Sequence, residues 1–273
     1  MNPLVSIFCF CRNRKEGMRR AAESVLAQTY RPIEFVVQDG ASDDGTVELL
    51  RSYGEEIKLV SEKDAGPEEA FWKAMRRCEG EIIGSCLSDE VMMPEATAEA
   101  VDYMLEHPHV SALTRGIFLC DETYRVIGTA DGKALDVHDY MHSGHSPHFA
   151  ATFFRKKSLE KIGLYTRAWN SSASEFELWC RLGLCTQVAY LPGHKATYGV
   201  HGGQLSRNPD RLVENFRGRL QVLKNLLEEN LIEESFYRTA IKQWGRSMTI
   251  FLDTVCSAPA RVEQAKAILR EVL

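Results

Sequence analysis

The stretch Val36-Val37-Gln38-Asp39-Gly40-Ala41-Ser42-Asp43-Asp44-Gly45-Thr46 joins an apolar strand to the start of a helix through an acidic turn. In open α/β sheets, ligands bind in the crevice beyond the carboxyl ends of the strands, so Asp39 is a candidate ligand contact. The alternative is a purely structural helix start, because Ser, Asp and Gly are typical of any strand-to-helix turn. Ser42 and Asp43 are the residues expected to provide that helix-starting chemistry.

The composition is that of an ordinary globular protein: 273 residues, 44% hydrophobic and 26% charged, enough to bury a substantial core. A net charge of -5 argues against nucleic acid as the main partner. The first residues show no basic region followed by an apolar run, so we expect neither a secretory signal nor an uncharged apolar segment of about 18 residues. We therefore expect a cytoplasmic protein, with peripheral attachment at the inner face of the membrane left open. Eight cysteines without a Cys-x-x-Cys pair favour buried free thiols over a zinc site.

Strand-like and helix-like segments alternate through the first part of the chain, which predicts a parallel sheet covered by helices. The predicted strands are 4–10, 33–38, 57–61 and 81–87, and the predicted helices are 15–28, 46–53, 67–78 and 94–105. Beyond residue 108 the pattern becomes mixed. It predicts a hairpin over 110–120 and 124–129, a polar His-rich loop, strands at 151–154, 187–191 and 195–200, a helix over 174–184, and amphipathic helix after residue 209.

Three acids, Asp39, Asp64 and Asp89, each follow a predicted strand, and a parallel sheet would bring them to the same edge. Such a set suits a nucleotide whose base and ribose donate hydrogen bonds, and whose diphosphate needs a divalent cation held by hard oxygen ligands. Each acid also has a local explanation. Asp64 fits a turn, and Asp89 with Glu90 fits a cap for the helix that follows.

A series of motifs in fixed order resembles the family-2 glycosyltransferases, which are inverting enzymes with the GT-A nucleotide-sugar fold. The matching segments are Val5-Ser6-Ile7, Asn13-Arg14, residues 23–34, residues 39–46 and residues 61–66. The resemblance covers roughly residues 3–206. It implies an α/β GT-A domain over 1–206, with a mostly parallel sheet flanked by helices. Residues 1–90 would be its nucleotide-binding half, 91–206 its acceptor half, and 207–273 a C-terminal helical extension.

The resemblance also implies a nucleotide and metal site at the carboxyl edge of the sheet. Asp89 and Glu90 would hold Mg²⁺ or Mn²⁺, in an acidic motif where Leu87 replaces a family acid. The segment around Arg12 replaces a family aromatic near the base, so Arg12 is expected to stack on the base or to reach the phosphates. The implied nucleotide-binding residues are Cys11, Arg12, Asn13, Asp39, Asp64, Lys73 and Ser88.

In the second half, residues 174–181 read Ser-Glu-Phe-Glu-Leu-Trp-Cys-Arg and resemble the family's Asp-x-Asp-Leu-Trp-x-Arg segment. The resemblance implies that Glu175 is the catalytic base. Glu175 and Glu177 stand about 200° apart on a helix, so both cannot face one ligand. The alternative is that acids simply favour a helix N-terminus. His148 and His201 match family positions that line the diphosphate or the acceptor.

The implied reaction is transfer of a sugar, with inversion, from a nucleotide-diphosphate sugar to the hydroxyl of a saccharide or lipid-linked acceptor. UDP-sugars are favoured, and cell-surface polysaccharide or glycolipid synthesis is the expected role. Two alternatives stay open: a sugar-1-phosphate nucleotidyltransferase, although its glycine-rich loop after the first strand is missing before Gly17, and a catalytically degenerate nucleotide-sugar-binding module. Residues 207–273 are expected to pack on the catalytic domain, with a homodimer or a membrane surface as alternatives.

Overall fold

The computed structural model describes residues 2–143, 147–164, 173–200 and 209–243, together with Glu263 and Ala267. The chain forms two compact units. Unit 1 comprises Met1–Leu135, Pro147–Trp169 and Thr186–Val200, and unit 2 comprises Asp136–Ser146, Asn170–Cys185 and His201–Leu273. The sheet belongs to unit 1, whereas the described part of unit 2 is helical. The division at residues 206 and 207 stays a prediction.

The first half of unit 1 is the predicted parallel βα alternation, and the sheet order here is β3-β2-β1-β4. The strands have ends within one to three residues of the predicted ones, because each is an apolar run bounded by turn residues. The elements are β1 (Val5–Cys11), α1 (Lys15–Leu26), β2 (Ile33–Asp39), α2 (Thr46–Arg51), a 3₁₀ turn (Gly54–Glu56), β3 (Ile57–Ser61), α3 (Pro67–Arg76) and β4 (Ile82–Ser85).

The second half of unit 1 extends the same sheet with mixed pairing, in the order β8-β6-β9-β5 beyond β4. The hairpin is confirmed, since β7 pairs antiparallel with β6. Strand β5 was not predicted, because three residues are too few to show a periodic pattern. The elements are β5 (Glu90–Met92), α4 (Ala96–Glu106), β6 (Val110–Cys120), β7 (Val126–Ala130), β8 (Phe153–Arg155), α6 (Lys156–Lys161) and β9 (Gln187–Gly199).

One strand, β9, replaces the two strands predicted at 187–191 and 195–200. Pro192 and Gly193 suggested a turn between them. In the structure, β9 runs parallel to β6 throughout, and the register shifts on both sides of Gly116 absorb the irregular residues. The extra residues Pro192, Gly193 and Lys195 bulge from β9 itself, and pairing with β6 resumes beyond them, so the two predicted segments form one strand.

The core of unit 1 lies on both faces of β1. Val5, Ile7 and Cys9 are fully buried in a cluster that also contains Met18 and Val25 of α1. The opposite face holds aromatic rings in edge-on contact, which bury large apolar area in a defined geometry. These rings belong to Phe8, Phe10, Phe71, Trp72, Phe149 and Phe154. Six of the seven described cysteines are buried, as predicted, and Cys185 is exposed.

Unit 2 contains α5 (Val137–Ser143), α7 (Ser174–Cys185), α8 (Pro209–Glu228) and a helical stretch at 234–243. Helix α5 lies where a polar loop was predicted. Its buried residues Val137, Tyr140 and Met141 have helical spacing, which the surrounding histidines and glycines concealed. The described part of the apolar stripe of α8 is buried at Leu220, Leu223 and Leu226. Within the described ranges, no helix is long and apolar enough to cross a membrane.

Candidate active site

The carboxyl ends of the parallel strands bring the first candidate residues together. In the sheet register, Cys11 of β1 is the partner of Asp39 of β2, and Asp39 is the partner of Ser61 of β3. The loop that carries Arg12 and Asn13 follows Cys11, and the loop that carries Asp64 follows Ser61. The predicted gathering of strand-end acids is thus seen for Asp39 and Asp64, since Asp64 lies against Gly40.

Asp39 is the hydrogen-bonding centre of this edge and is fully buried. Its Oδ2 accepts the N–H of Ser42 at 2.9 Å and the hydroxyl of Ser61 at 2.7 Å. Its Oδ1 accepts the hydroxyl of Ser42 and, at 3.6 Å, the thiol of Cys11. Burial, followed by the negative charge of Asp39, raises the pKa of Cys11, so this thiol stays protonated and donates. The Asp39 carboxylate therefore connects the ends of β1 and β3 with the loop that follows β2.

The start of α2 depends on a residue other than the two predicted ones. Ser42 and Asp43 were expected to provide it, but Ser42 is engaged by Asp39. Asp44 starts the helix instead, since its Oδ1 accepts the N–H of Thr46 at 3.0 Å and the Thr46 hydroxyl as well. The other oxygen of Asp44 accepts the N–H of Lys15 at 3.1 Å, so the same carboxylate joins the starts of two helices. Sequence spacing alone did not distinguish three consecutive polar candidates.

Asn13 fixes the loop after β1 to the loop after β2. Its N–H donates to Ser42 Oγ at 2.7 Å, and its Oδ1 accepts the N–H of Asp43 at 2.9 Å. The backbone of Asn13 has φ of 53°, a left-handed conformation that asparagine tolerates better than most residues. This predicted nucleotide-binding residue has its amide oxygen engaged within the protein.

Arg12 and Asp64 meet over Gly40. A Cβ added to Gly40 would lie 2.7 Å from Asp64 Oδ2 and 3.4 Å from Arg12 Cβ, so only glycine leaves room for this approach. Arg12 is exposed and Asp64 is half-buried, with its Oδ1 accepting the N–H of Gly66 at 3.0 Å. The Asp64 carboxylate and the aliphatic part of the Arg12 side chain therefore both lie against Gly40. The fourth candidate here, Lys73 on α3, forms ion pairs of 2.8 and 3.0 Å with Glu62 and Glu69.

The predicted metal motif forms the turn between β4 and β5, and it lies against α1. A Cβ on Gly17 would be 2.1 Å from the carbonyl oxygen of Ser88, which makes glycine necessary in this helical turn. The Asp89 carbonyl accepts the N–H of Gly199 at 2.9 Å. Glu90 is 2% exposed, and its Oε2 accepts the N–H of Leu87 at 2.8 Å. Glu90 thus stabilises the turn, and Asp89 is the more accessible carboxylate.

The donor set of this turn fits a hard divalent cation that takes most of its ligands from elsewhere. The described residues contain no group of three or more His, Cys, Asp and Glu side chains placed to hold a metal. Mg²⁺ is commonly held by one or two carboxylates, with phosphate oxygens and water completing its shell. A site built on Asp89 matches that pattern, because a single acid there leaves most positions to a diphosphate.

In unit 2, helix α7 separates the two candidate acids as its geometry predicted. Glu175 is exposed in the first turn, and its Oε1 accepts the indole N–H of Trp179 at 3.4 Å. Glu177 is 12% exposed and pairs with Arg181, with Glu177 Oε1 2.7 Å from Arg181 Nε. Of the two, only Glu175 is exposed to solvent.

The two candidate histidines have different outcomes. His148, in unit 1, is half-buried and interacts with the backbone and charge of Asp131. Burial lowers the pKa of His148 against the opposing influence of Asp131, which favours a neutral imidazole near pH 7. His201 lies outside the described residues, as do residues 170–172 of the loop before Glu175. The roles of both histidines stay predictions.

With this geometry in place, comparison with known proteins decides the family. A sequence model of glycosyl transferase family 2 matches residues 6–163, more than half of the chain. The chain belongs to glycosyl transferase family 2. The GT-A fold follows from the structural comparisons below.

Curated relatives of this family-2 chain match a little over a third of its length. An uncharacterized glycosyltransferase of Rickettsia felis is 34% identical over 104 residues, which is 37% of this chain and 17% of the relative. Chondroitin synthase of Escherichia coli is 32% identical over 103 residues, 37% of this chain and 15% of the relative. A putative teichuronic acid biosynthesis glycosyltransferase, TuaG of Bacillus subtilis, is 29% identical over 108 residues, which is 38% of this chain and 43% of the relative. The chain spans less than half the length of each.

Solved structures establish the GT-A fold of this family-2 chain. S. aureus TarS 1-349 in complex with UDP-GlcNAc superposes with a TM-score of 0.67 at 17% identity, covering 91% of this chain and 72% of the TarS 1-349 chain. The mannosyltransferase PcManGT from Pyrobaculum calidifontis, in complex with GDP-Man and Mn²⁺, has a TM-score of 0.59 at 17% identity, covering 100% of this chain and 81% of the PcManGT chain. At such identities the likeness concerns the fold.

Sequence reasoning missed several residues that build the site. Ser61 was part of the matching segment 61–66, but its contact with Asp39 depends on the register of β2 and β3, which the sequence does not show. Gly17 gave no signal, because its partner is a backbone atom 71 positions away along the chain. Arg181 was part of a quoted motif, but nothing in the sequence indicated its partner.

Proposed function

We propose that this family-2 glycosyltransferase moves a sugar, with inversion, from a nucleotide-diphosphate sugar to an acceptor hydroxyl, with UDP-sugars favoured. The observation that carries the proposal is the packing of the Asp64 carboxylate and the Arg12 side chain against Gly40, which follows the buried Asp39. This edge offers acceptors for base and ribose donors and a cation for phosphate. The fold-level neighbours TarS and PcManGT were crystallised with UDP-GlcNAc and GDP-Man, which supports the donor class.

At the nucleoside, Asp64 and Arg12 make the outer contacts in this proposal, and Asp39 acts from beneath. Because all the described hydrogen bonds of Asp39 end on protein groups, a direct contact with the base requires one of its serine partners to give way. Cys11, Asn13, Lys73 and Ser88 complete the proposed nucleotide-binding set.

In the chemical step, Glu175 accepts the proton of the acceptor hydroxyl as its oxygen attacks the anomeric carbon. The new C1–O bond forms on the face opposite the breaking bond to the diphosphate, which leaves as a dianionic or trianionic group with its electron pair. General-base assistance of this kind contributes about 10²–10⁴-fold to the rate. Exposure of Glu175 in the first turn of α7 supports the assignment, since an acceptor must reach it.

Asp89 is the proposed ligand for Mg²⁺ or Mn²⁺, with Glu90 as a secondary ligand. A divalent cation bound there would neutralise charge on the leaving diphosphate. The neighbour PcManGT was crystallised with Mn²⁺. Glu90 contributes chiefly by closing the Leu87–Glu90 turn that presents Asp89.

For the acceptor, we propose a chemical class. Chondroitin synthase and the putative teichuronic acid biosynthesis enzyme are both named for polysaccharides, which supports a saccharide or lipid-linked acceptor in cell-surface polysaccharide or glycolipid synthesis. His148 and His201 are the proposed diphosphate or acceptor contacts. A cytoplasmic location, with membrane contact or a homodimer through residues 207–273, belongs to the same proposal.

The first experiment is a thermal-shift panel of UDP-, GDP- and dTDP-sugars with and without Mn²⁺. A ligand that binds only the native state stabilises it by about 2.7 kcal/mol at a hundredfold excess over its Kd. The sugar nucleotide that raises the unfolding midpoint most is then incubated with the protein. Release of a nucleoside diphosphate indicates a transferase, pyrophosphate exchange indicates a nucleotidyltransferase, and binding without either product indicates a binding module.

The second experiment compares Glu175→Gln with Asp64→Asn. Glu175→Gln should lose turnover and keep donor binding, whereas Asp64→Asn should weaken binding of the nucleotide itself. Near-normal turnover by Glu175→Gln would contradict the base assignment and leave the binding assignment intact.

A further inference from the structure

A buried arginine of helix α7, Arg181, pairs with a glutamate from the C-terminal part of the chain. The side chain of Arg181 is 4% exposed. Its Nη1 lies 2.7 Å from Glu229 Oε2, and its Nη2 donates to Glu229 Oε1 at 2.9 Å. This is a two-pronged contact between a guanidinium and a carboxylate, the strongest geometry for such a pair. Glu229 follows directly after α8, so the pair ties the end of α8 to α7.

The same guanidinium also binds α7 itself, through Glu177 one turn earlier at 2.7 Å. A buried cation shared by two carboxylates resists displacement, because breaking either contact leaves a charge without its partner in a low-dielectric environment. The clamp therefore consists of Glu177, Arg181 and Glu229. By contrast, the pair Arg238–Glu234 is 76% and 55% exposed and contributes little to rigidity.

A second set of contacts fixes the rotation of α7 about its axis. Phe176 is 2% exposed, with its ring 5.2 Å from that of Tyr140 and 5.0 Å from the guanidinium carbon of Arg219 on α8. Trp179 is fully buried and donates to Glu175. Glu175 is thus the exposed member of a helix whose other faces are engaged by α5, α8 and the clamp.

We propose that Arg181 and Glu229 are positioning residues for Glu175, so that the segment after α8 sets the place of the catalytic base. The inference rests on the proposed base role of Glu175. It assigns the C-terminal helices to the catalytic machinery, rather than to an extension that merely packs on it. The partition of the chain agrees, since residues 170–185 and 201–273 fall in the same unit.

The test uses the full chain with Glu229→Gln and Arg181→Lys. The glutamine removes the charge and one acceptor, and the lysine keeps a charge but lacks the planar fork. Glu234→Gln is the matched control, because it removes an exposed ion pair from the same unit. Turnover is followed as release of nucleoside diphosphate from the sugar nucleotide that gives the largest thermal shift with Mn²⁺. All rates are taken well below the unfolding midpoint of each variant.

Both clamp variants should lose kcat by about 10²-fold, because a displacement near 1 Å at a reacting group has that effect. KM for the donor should stay within about twofold, since donor contacts are not touched. The control should keep the parental kcat. A purely structural clamp would lower only the unfolding midpoint, so parental kcat in both folded clamp variants overturns the inference. If Glu175→Gln also keeps the parental kcat, the base role of Glu175 is refuted together with the positioning role of the clamp. If Glu175→Gln is inactive while both clamp variants keep the parental kcat, only the positioning role is refuted.

Discussion

Replacing Asp39 by alanine tests whether this carboxylate holds the edge of the sheet together. The side chain is fully buried, and three hydrogen bonds from nitrogen or oxygen donors end on it. Alanine removes every acceptor while leaving the Ser42 N–H, the Ser42 hydroxyl and the Ser61 hydroxyl in place. The two loops and the end of β3 then lose their common partner.

The magnitude follows from the number of donors left without an acceptor. At about 1 kcal/mol for each hydrogen bond, the loss is about 3 kcal/mol of unfolding free energy. For a chain of this size, that corresponds to a fall of about 6–12 °C in the unfolding midpoint. Asp39→Asn should lose less, because the amide still accepts at one position and donates to Ser42 Oγ at the other.

Thermal unfolding followed by far-UV circular dichroism measures the difference, with Asp64→Ala as the matched control. Asp64 is also an acid beyond a strand end, but its one described hydrogen bond goes to the Gly66 N–H, so its loss should be about 1 kcal/mol. If the unfolding midpoint of Asp39→Ala is no lower than that of Asp64→Ala, the Asp39 carboxylate does not hold the edge of the sheet together, and the reasoning is refuted.

Three further predictions concern other parts of unit 1. Gly17→Ala should lower the free energy of unfolding, because the new Cβ would lie 2.1 Å from the Ser88 carbonyl oxygen and displace Asp89. It should also weaken Mn²⁺-dependent donor binding, measured by calorimetric titration. If alanine only stiffened the helix, the free energy of unfolding would instead rise by about 0.5–1 kcal/mol. Arg155→Ala should lower the free energy of unfolding by about 2–3 kcal/mol, because the Arg155 guanidinium donates to carbonyls at the end of α4 and the start of β6. Denaturant titration measures this loss, and an unchanged unfolding midpoint would contradict the prediction. Burial favours the protonated form of Glu34, but hydrogen bonds from neighbouring Lys and Ser side chains outweigh it and lower its pKa below the ordinary 4.5. Its contribution is therefore present above pH 4.5 and lost as pH falls through the lower folded-state pKa, and Glu34→Gln should flatten that part of the stability profile.

Much of the fold was predictable because its strands are apolar runs with clear ends. Residues 57–61 and 110–120 match β3 and β6 without adjustment. The errors arose where local signals conflicted with distant partners. Pro192 and Gly193 are typical of a turn, yet β9 accommodates them as a bulge because its pairing with β6 resumes beyond them, and a local pattern does not reveal that pairing.

The position of Asp39 at the end of a parallel strand was predictable, because an apolar run stops there, whereas the base role of Glu175 rests on the family resemblance and stays a prediction. The hydrogen bonds of Asp39 to Ser42 and to Ser61 at the end of β3 were not predicted. Glu229 could not be found from sequence, because its partner Arg181 is 48 residues away and no local motif surrounds it. Long-range pairing is set by tertiary packing, which single-sequence patterns do not encode.

The interlocked loops at the end of β1 and β2 bear on the entropy of ligand binding. Ser42, Asn13 and Asp44 hold these loops through contacts that need no nucleotide. Ordering a loop normally consumes part of the binding free energy of a ligand, and a preformed loop avoids that cost. Donor recognition at this edge should accordingly proceed with little change of loop conformation, leaving more of the contact energy available for affinity.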